Sequence, residues 1–162
     1  MKLNFKGKNV LITGVTSGIG KSLVDYYLKN GANVIGTSTK KKLKRKNFQI
    51  YKVDFFNELE KKIFLKYVSK LKLHILINNA GINKIDKIQN INMSDYRKIL
   101  NLNLEVPTIL TNIVSQNMIK MKSGKIINIA SIFGNVSKSM RASYSSSKFG
   151  LKGLTRSTAL DL

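Results

Sequence analysis

Cysteine is absent from this chain of 162 residues, and histidine and proline each occur once. Without thiols there is no disulfide, no thiolate metal site and no cysteine nucleophile, a pattern compatible with a reducing cytoplasm. One histidine without cysteine argues against a transition-metal site. No apolar run approaches the roughly 18 residues that suggest a membrane span. The opening Met1-Lys-Leu-Asn-Phe-Lys-Gly-Lys is basic but runs directly into a strand pattern, which reads against a signal peptide. Acidic residues are scarce: 8 stand against 29 basic ones, for a net charge of +21. Such a charge suits nucleic acid or an anionic membrane. Dispersed lysine, with abundant asparagine and isoleucine, is equally what AT-rich codons produce, and that reading makes nucleic-acid binding secondary. The length supports one domain with a real core.

What is present is an alternation of short apolar runs with amphipathic stretches. Residues 9–13, 33–37, 49–53, 74–77 and 125–129 read as strands, mostly of the buried parallel kind. Helices are expected from the glycine turn to Leu28, over residues 58–71, from an N-cap at Ser94 toward Met121, and from about Arg141 onward. Asn30-Gly31 should end the first helix and Gly124 close the third. The third helix should be interrupted near Asn103 and Pro107, since proline breaks a helix interior. Residues 40–46 read as a basic loop. The alternation predicts a doubly wound α/β fold, a parallel sheet covered on both faces, with strand order 3-2-1-4-5. The whole chain, residues 1–162, reads as one Rossmann-like nucleotide-binding domain.

Between the first strand and first helix stands Thr13-Gly14-Val-Thr16-Ser17-Gly18-Ile19-Gly20. Glycines let backbone approach a pyrophosphate, and a helix N-terminus offers free N–H groups. After the second strand, Thr37-Ser38-Thr39-Lys40-Lys41 carries no acid to take ribose hydroxyls. Hydroxyls and ammonium groups suit a 2′-phosphate, so the residues favour NADP, with NAD as the alternative. Asp54 after the third strand suits an adenine edge or a turn. Near the C-terminal end, Tyr144-Ser-Ser-Ser-Lys148 places a phenol and an ammonium on one helix face, where the cation favours the phenolate. Ser131 could hold a substrate oxygen. His74, opening a strand, reads as structural.

Taken together, Thr13-Gly14-x3-Gly18-x-Gly20, Asn78-Asn79-Ala80-Gly81, Asn103 in Leu-Asn-Leu-Asn-Leu, Ser131 and Tyr144-x3-Lys148 resemble the short-chain dehydrogenases/reductases in order and spacing. The resemblance implies Tyr144 as general acid or base, Lys148 on the nicotinamide ribose, Ser131 on the substrate oxygen, and Asn103 holding a water in a proton relay. It implies cofactor contacts at Gly14, Thr16, Ser17, Gly18, Ile19, Gly20, Thr39, Lys40, Asp54, Phe55, Asn79, Ala80 and Gly81, besides Tyr144 and Lys148. Within the family the opening segment and Val34-Ile-Gly-Thr-Ser-Thr39 look like 3-oxoacyl-[acyl-carrier-protein] reductases, which implies a small-molecule or carrier-bound carbonyl substrate, a cytoplasmic setting and a homo-tetramer or dimer. A sugar, polyol or polysaccharide-precursor dehydrogenase is the alternative within the fold. A non-catalytic nucleotide- or nucleic-acid-binding protein is the alternative of another class. Family members run to roughly 250 residues, with two further strands and a substrate loop after the tyrosine helix. The expectation is therefore a truncated or partial chain with an apolar sheet edge, poorly soluble or weakly active.

Overall fold

A computed structural model describes residues 4–40 and 42–162; Lys41 of the lysine run and the first three residues lie outside them. The chain divides into two compact units. The first comprises the residues up to Ala80 together with Thr111–Ile127, and the second comprises Gly81–Leu110 and Asn128–Leu162.

The first unit carries the sheet. Its elements begin β1 (Asn9–Ile12), α1 (Gly18–Lys29), β2 (Asn33–Ser38), β3 (Leu43–Arg45) and β4 (Phe48–Lys52). They continue with α2 (Glu58–Val68) and β5 (Ile75–Asn78). The strand order is β3-β4-β2-β1-β5-β6, with β6 at Lys125–Asn128. β1 pairs in parallel with β2 and β5, and β2 with β4. Leaving β3 aside, this is the order expected from sequence. Val10, Leu11, Ile12 and Leu76 are fully buried, as strands covered on both faces must be. α1 packs on β1 and β2. α2 inserts Phe64 against Tyr51 and Phe55, at ring separations of 5.0 and 5.7 Å.

Three local expectations are corrected. The basic loop contains β3, which pairs antiparallel with β4, Lys44 opposite Gln49, after a turn in which Asn47 takes φ 61°. Asparagine tolerates that left-handed conformation through its short polar side chain, so a two-residue hairpin closes inside what reads as a charge run. The N-cap of α3 (Met93–Leu100) is Asn92, whose side chain accepts from the N–H groups of Ser94 and Asp95; Ser94 lies inside the helix. Asn92 has the extended backbone a cap needs, φ −76° and ψ 120°, whereas Ser94 has already entered the helix. Finally, α4 (Val106–Lys120) ends before Gly124, with Lys122 at φ 49° taking the left-handed position. Gly124 is needed for a different reason: a Cβ there would collide with the Met118 side chain.

The second unit holds α3, a π-turn at Asn101–Glu105, the start of α4, a short 3-10 turn at Ile132–Gly134 and α5 (Ala142–Asp161). The interruption near Asn103 and Pro107 takes the form of the π-turn. Pro107 has no N–H to offer the Asn103 carbonyl four residues back, so α-type pairing cannot close there. The Val106 N–H instead reaches the Asn101 carbonyl, five residues back. α5 packs on α3, on the π-turn and on the 3-10 turn.

Candidate active site

In the first unit the glycine turn is built by its neighbours. The Thr13 hydroxyl accepts from the N–H groups of Asn79 and Ala80, both at 2.9 Å. The Asn79 amide donates to the carbonyls of Thr13 and Gly14 at 2.9 and 2.8 Å. Both Asn79 amide hydrogens are thereby spent on the turn. Gly14 has φ 70°, and a Cβ there would meet Ala80 Cα at 3.0 Å. A Cβ on Gly20 would lie 2.6 Å from Asn79 Nδ2 and closer still to the Gly14 carbonyl. Gly18 has φ 52° and open space where its Cβ would be. Thr16 to Ile19 are exposed, and the Ser17 side chain makes no cap to α1, whose first turn has no acid. The first N–H groups of a helix lack partners within it. A turn with open space at Gly18, uncapped N–H groups and no carboxylate fits a dinucleotide pyrophosphate.

The end of β2 lies against this turn: Gly14 N–H donates to the Thr37 hydroxyl at 3.1 Å, and Val15 N–H to the Thr37 carbonyl at 3.1 Å. Thr39 and Lys40 follow, both exposed, with no carboxylate near in sequence. Asp54 forms a turn, accepting from Phe56 N–H at 2.9 Å. Phe55 is buried on Phe64. His74 Nδ1 accepts from Asn9 N–H at 3.0 Å, a structural bond between strand ends. Burial, and then the Lys8 charge, hold its pKa below the ordinary imidazole value.

In the second unit Tyr144 and Lys148 lie on α5, with the Lys148 ammonium 5.7 Å from the centre of the Tyr144 ring. Lys148 is 4% exposed, and burial lowers its pKa. It donates to the Ile129 carbonyl at 2.8 Å, which leaves two ammonium hydrogens. Asn103 is buried in the π-turn. Its Oδ1 accepts from Ile82 N–H, and its amide donates to the Ile82 carbonyl, each at 2.9 Å, and to the Ser147 hydroxyl at 3.0 Å. A Cβ on Gly81 would come to 3.1 Å of Asn103 Oδ1 and 3.8 Å of Lys148 Nζ. Asn103, Gly81, Tyr144 and Lys148 are thus one cluster. Ser131 caps the 3-10 turn by accepting from Phe133 N–H at 3.2 Å, which leaves its own proton to donate. Phe133 meets the Tyr144 ring edge to face at 6.3 Å.

Sequence reasoning gave Thr13 no role beyond its place in the glycine motif, and missed Ser147. Thr13 holds Asn79 and Ala80 in place. Ser147, fully buried, accepts from Asn103 and donates to the Tyr144 carbonyl at 2.7 Å. Its place one residue before Lys148 was the available signal, hidden among three serines. No group of three or more His, Asp or Glu among the described residues could hold a metal.

The short-chain dehydrogenase family model matches residues 8–162. The chain belongs to the short-chain dehydrogenases. It is therefore an NAD(P)-dependent oxidoreductase. A 3-oxoacyl-[acyl-carrier-protein] reductase of Buchnera aphidicola subsp. Baizongia pistaciae is 36% identical over 96% of this chain and 67% of its own length. The 2-dehydro-3-deoxy-D-gluconate 5-dehydrogenase of Bacillus subtilis is 32% identical over 96% of this chain and 65% of its own length. A 4-hydroxyisoleucine dehydrogenase solved with NADH has a TM-score of 0.85 and 32% identity, over 96% of this chain and 69% of that one. A Beutenbergia cavernae protein solved with NADP at low occupancy has a TM-score of 0.89 over 99% of this chain and 69% of that one; at 23% identity it speaks for the fold alone. No helix among the described residues is long and apolar enough to cross a membrane.

Proposed function

We propose that the chain serves NADP-dependent reduction of a carbonyl, or the reverse oxidation, with a 3-oxoacyl group on an acyl carrier protein as its substrate. The observation that carries the chemistry is the buried Lys148 ammonium beside the Tyr144 ring, braced through Ser147 by Asn103. When bound, NADPH supplies a hydride. The backbone of Gly14, Thr16, Ser17, Gly18, Ile19 and Gly20 would hold its pyrophosphate. Thr39 and Lys40 would receive the 2′-phosphate. Lys148 has two ammonium hydrogens left for ribose hydroxyls. The free Ser131 proton orients a substrate oxygen, and the Tyr144 hydroxyl gives that oxygen a proton in reduction or takes it in oxidation. General acid–base catalysis of this kind contributes about 10²–10⁴-fold.

Residues 1–162 are proposed to work as one NAD(P)-binding region, assembled as a dimer or tetramer in the cytoplasm. The +21 charge suits an acidic carrier protein. A second reading, dehydrogenation of a sugar acid, is supported by the 32% identity to the Bacillus subtilis enzyme. NADPH fluorescence titration followed by Tyr144→Phe tests the chemistry. The variant should bind cofactor as the parent does and lose at least about 100-fold in turnover. Unchanged turnover would sink the assignment.

A further inference from the structure

A cleft of about 370 Å³ lies within the second unit, between residues 86–89 and the segment 137–142 that leads into α5. Ala142, two residues before Tyr144, lines it, with Ile88 and Met140 as its apolar surface and Lys87 and Lys138 as its cations. The Lys138 ammonium sits 5.9 Å from the centre of the Phe133 ring and the Arg141 guanidinium 5.5 Å from it. Phe133 is the ring that meets Tyr144. Two cations thus stand one aromatic ring away from the phenol.

These charges are not neutralised from within. The ion pairs among the described residues are Lys61 with Glu58, and Lys84 with Asp86 and Asp95. Asp86 is the one carboxylate lining the cleft, and it faces Lys84 at 4.0 Å. Lys87, Lys138 and Arg141 have no carboxylate partner there. Cation–π contact holds a cation in position without consuming its charge. With two lysines against one carboxylate the cleft carries net positive charge, and a concave site of that kind concentrates anions.

We infer that this cleft selects carbonyl substrates that carry their own anion, seated by Lys138 and Lys87, with an aliphatic portion against Ile88 and Met140. The inference rests on the carbonyl-reduction reading and names a substrate class for it, the cleft's Lys138 lying over Phe133, whose ring meets Tyr144. The anion has two possible sources of one chemistry: the carboxylate of a small keto acid, or the phosphate of a pantetheine arm.

The test compares NADPH oxidation with acetoacetate and its methyl ester, and with acetoacetyl-pantetheine and its 4′-phosphate. Each pair shares one ketone and differs in one anion. The parent should prefer the anionic member of at least one pair by about tenfold or more in kcat/KM, the preferred pair identifying the source. Lys138→Gln and Lys87→Gln should each lower that preference by about fivefold to tenfold, and added salt should lower it further. Lys29→Gln removes an equal charge outside the cleft and should leave the preference as it was. Equal use of both members of each pair, or a preference that neither cleft variant moves, would overturn the inference. Calorimetric binding of acetoacetate and of 4′-phosphopantetheine, which needs no turnover, decides separately. Weaker binding of either anion by Lys138→Gln supports the inference even if no carbonyl is reduced. Equal affinity in parent and variant for both overturns it, while turnover of the neutral ketones would still uphold the reaction.

Discussion

The Asn103 amide donates to the Ser147 hydroxyl at 3.0 Å, and that hydroxyl donates to the Tyr144 carbonyl at 2.7 Å. The π-turn is thereby tied to the helical turn that spaces Tyr144 from Lys148. Asn103 is also bonded to both backbone groups of Ile82. A π-turn is a costly irregularity, and such turns recur at functional sites. Here it turns one side chain inward to serve three partners.

Asn103→Ala should accordingly cost about 2–4 kcal/mol, because it removes three hydrogen bonds of about 1 kcal/mol each, two to the Ile82 backbone and one to Ser147. Ser147→Ala removes two hydrogen bonds and leaves one buried Asn103 amide hydrogen without an acceptor, and should cost about 1–2 kcal/mol. Urea unfolding followed by circular dichroism measures both. An Asn103→Ala variant as stable as the Ser147→Ala one would contradict the bracing role.

The glycine turn makes an ordered prediction. Gly20→Ala forces a methyl onto Asn79 Nδ2 and the Gly14 carbonyl, so turn and partner must separate. We expect a stability loss of at least about 2 kcal/mol and NADPH binding weakened by more than about tenfold. Gly18→Ala meets open space and bears only its left-handed backbone, about 1 kcal/mol. If Gly18→Ala were the more damaging to stability, the packing account of this turn would be wrong.

How far the sequence could be read follows from where the information sits. Parallel strands such as Asn9–Ile12 and Ile75–Asn78 are short apolar runs closed by glycine or asparagine, so their existence is local. Tyr144 and Lys148 declare their proximity by spacing alone, because four residues make one helical turn. Thr13 and Ser147 declare nothing. Their partners lie 66 and 44 residues away, and a threonine or serine looks the same whether it faces solvent or a carbonyl. The β3 hairpin was hidden because its signal, Lys46-Asn47, lies inside a run of charge that reads as solvated loop. Asn92 takes the cap in place of Ser94; both residue types cap well two positions apart, and spacing alone does not rank them.

His74 gives a pH prediction that one residue type can test, since the chain has a single histidine. Its Nδ1 must be unprotonated to accept from Asn9, and its folded pKa lies below the ordinary value of 6.5. The unfolded chain therefore binds the proton first as pH falls. The contribution is full above about 6.5 and is lost as pH drops through the folded value. Thermal unfolding between pH 8 and 5 should show this decline, and His74→Gln should flatten it. An identical slope in parent and variant would show that carboxylates carry the acid sensitivity.

Lys148 yields the opposite trade between stability and chemistry. Its ammonium is buried with one carbonyl partner and no carboxylate, so its folded pKa is lowered by desolvation. Between that lowered value and the ordinary 10.5, the unfolded chain binds the proton and the folded chain releases it, so folding gains as pH rises. At neutral pH that desolvation opposes folding. Lys148→Met keeps the side-chain volume and removes that charge, and the half-buried Ile129 carbonyl can turn to water. The variant should be more stable by about 1 kcal/mol, or about 2–4 °C in Tm for a chain of this size. The parent's rise in stability toward pH 10 should be absent from it, and turnover should be lost. A lower Tm for Lys148→Met at neutral pH would mean that the ammonium stabilises the fold by bonding more than it costs by burial.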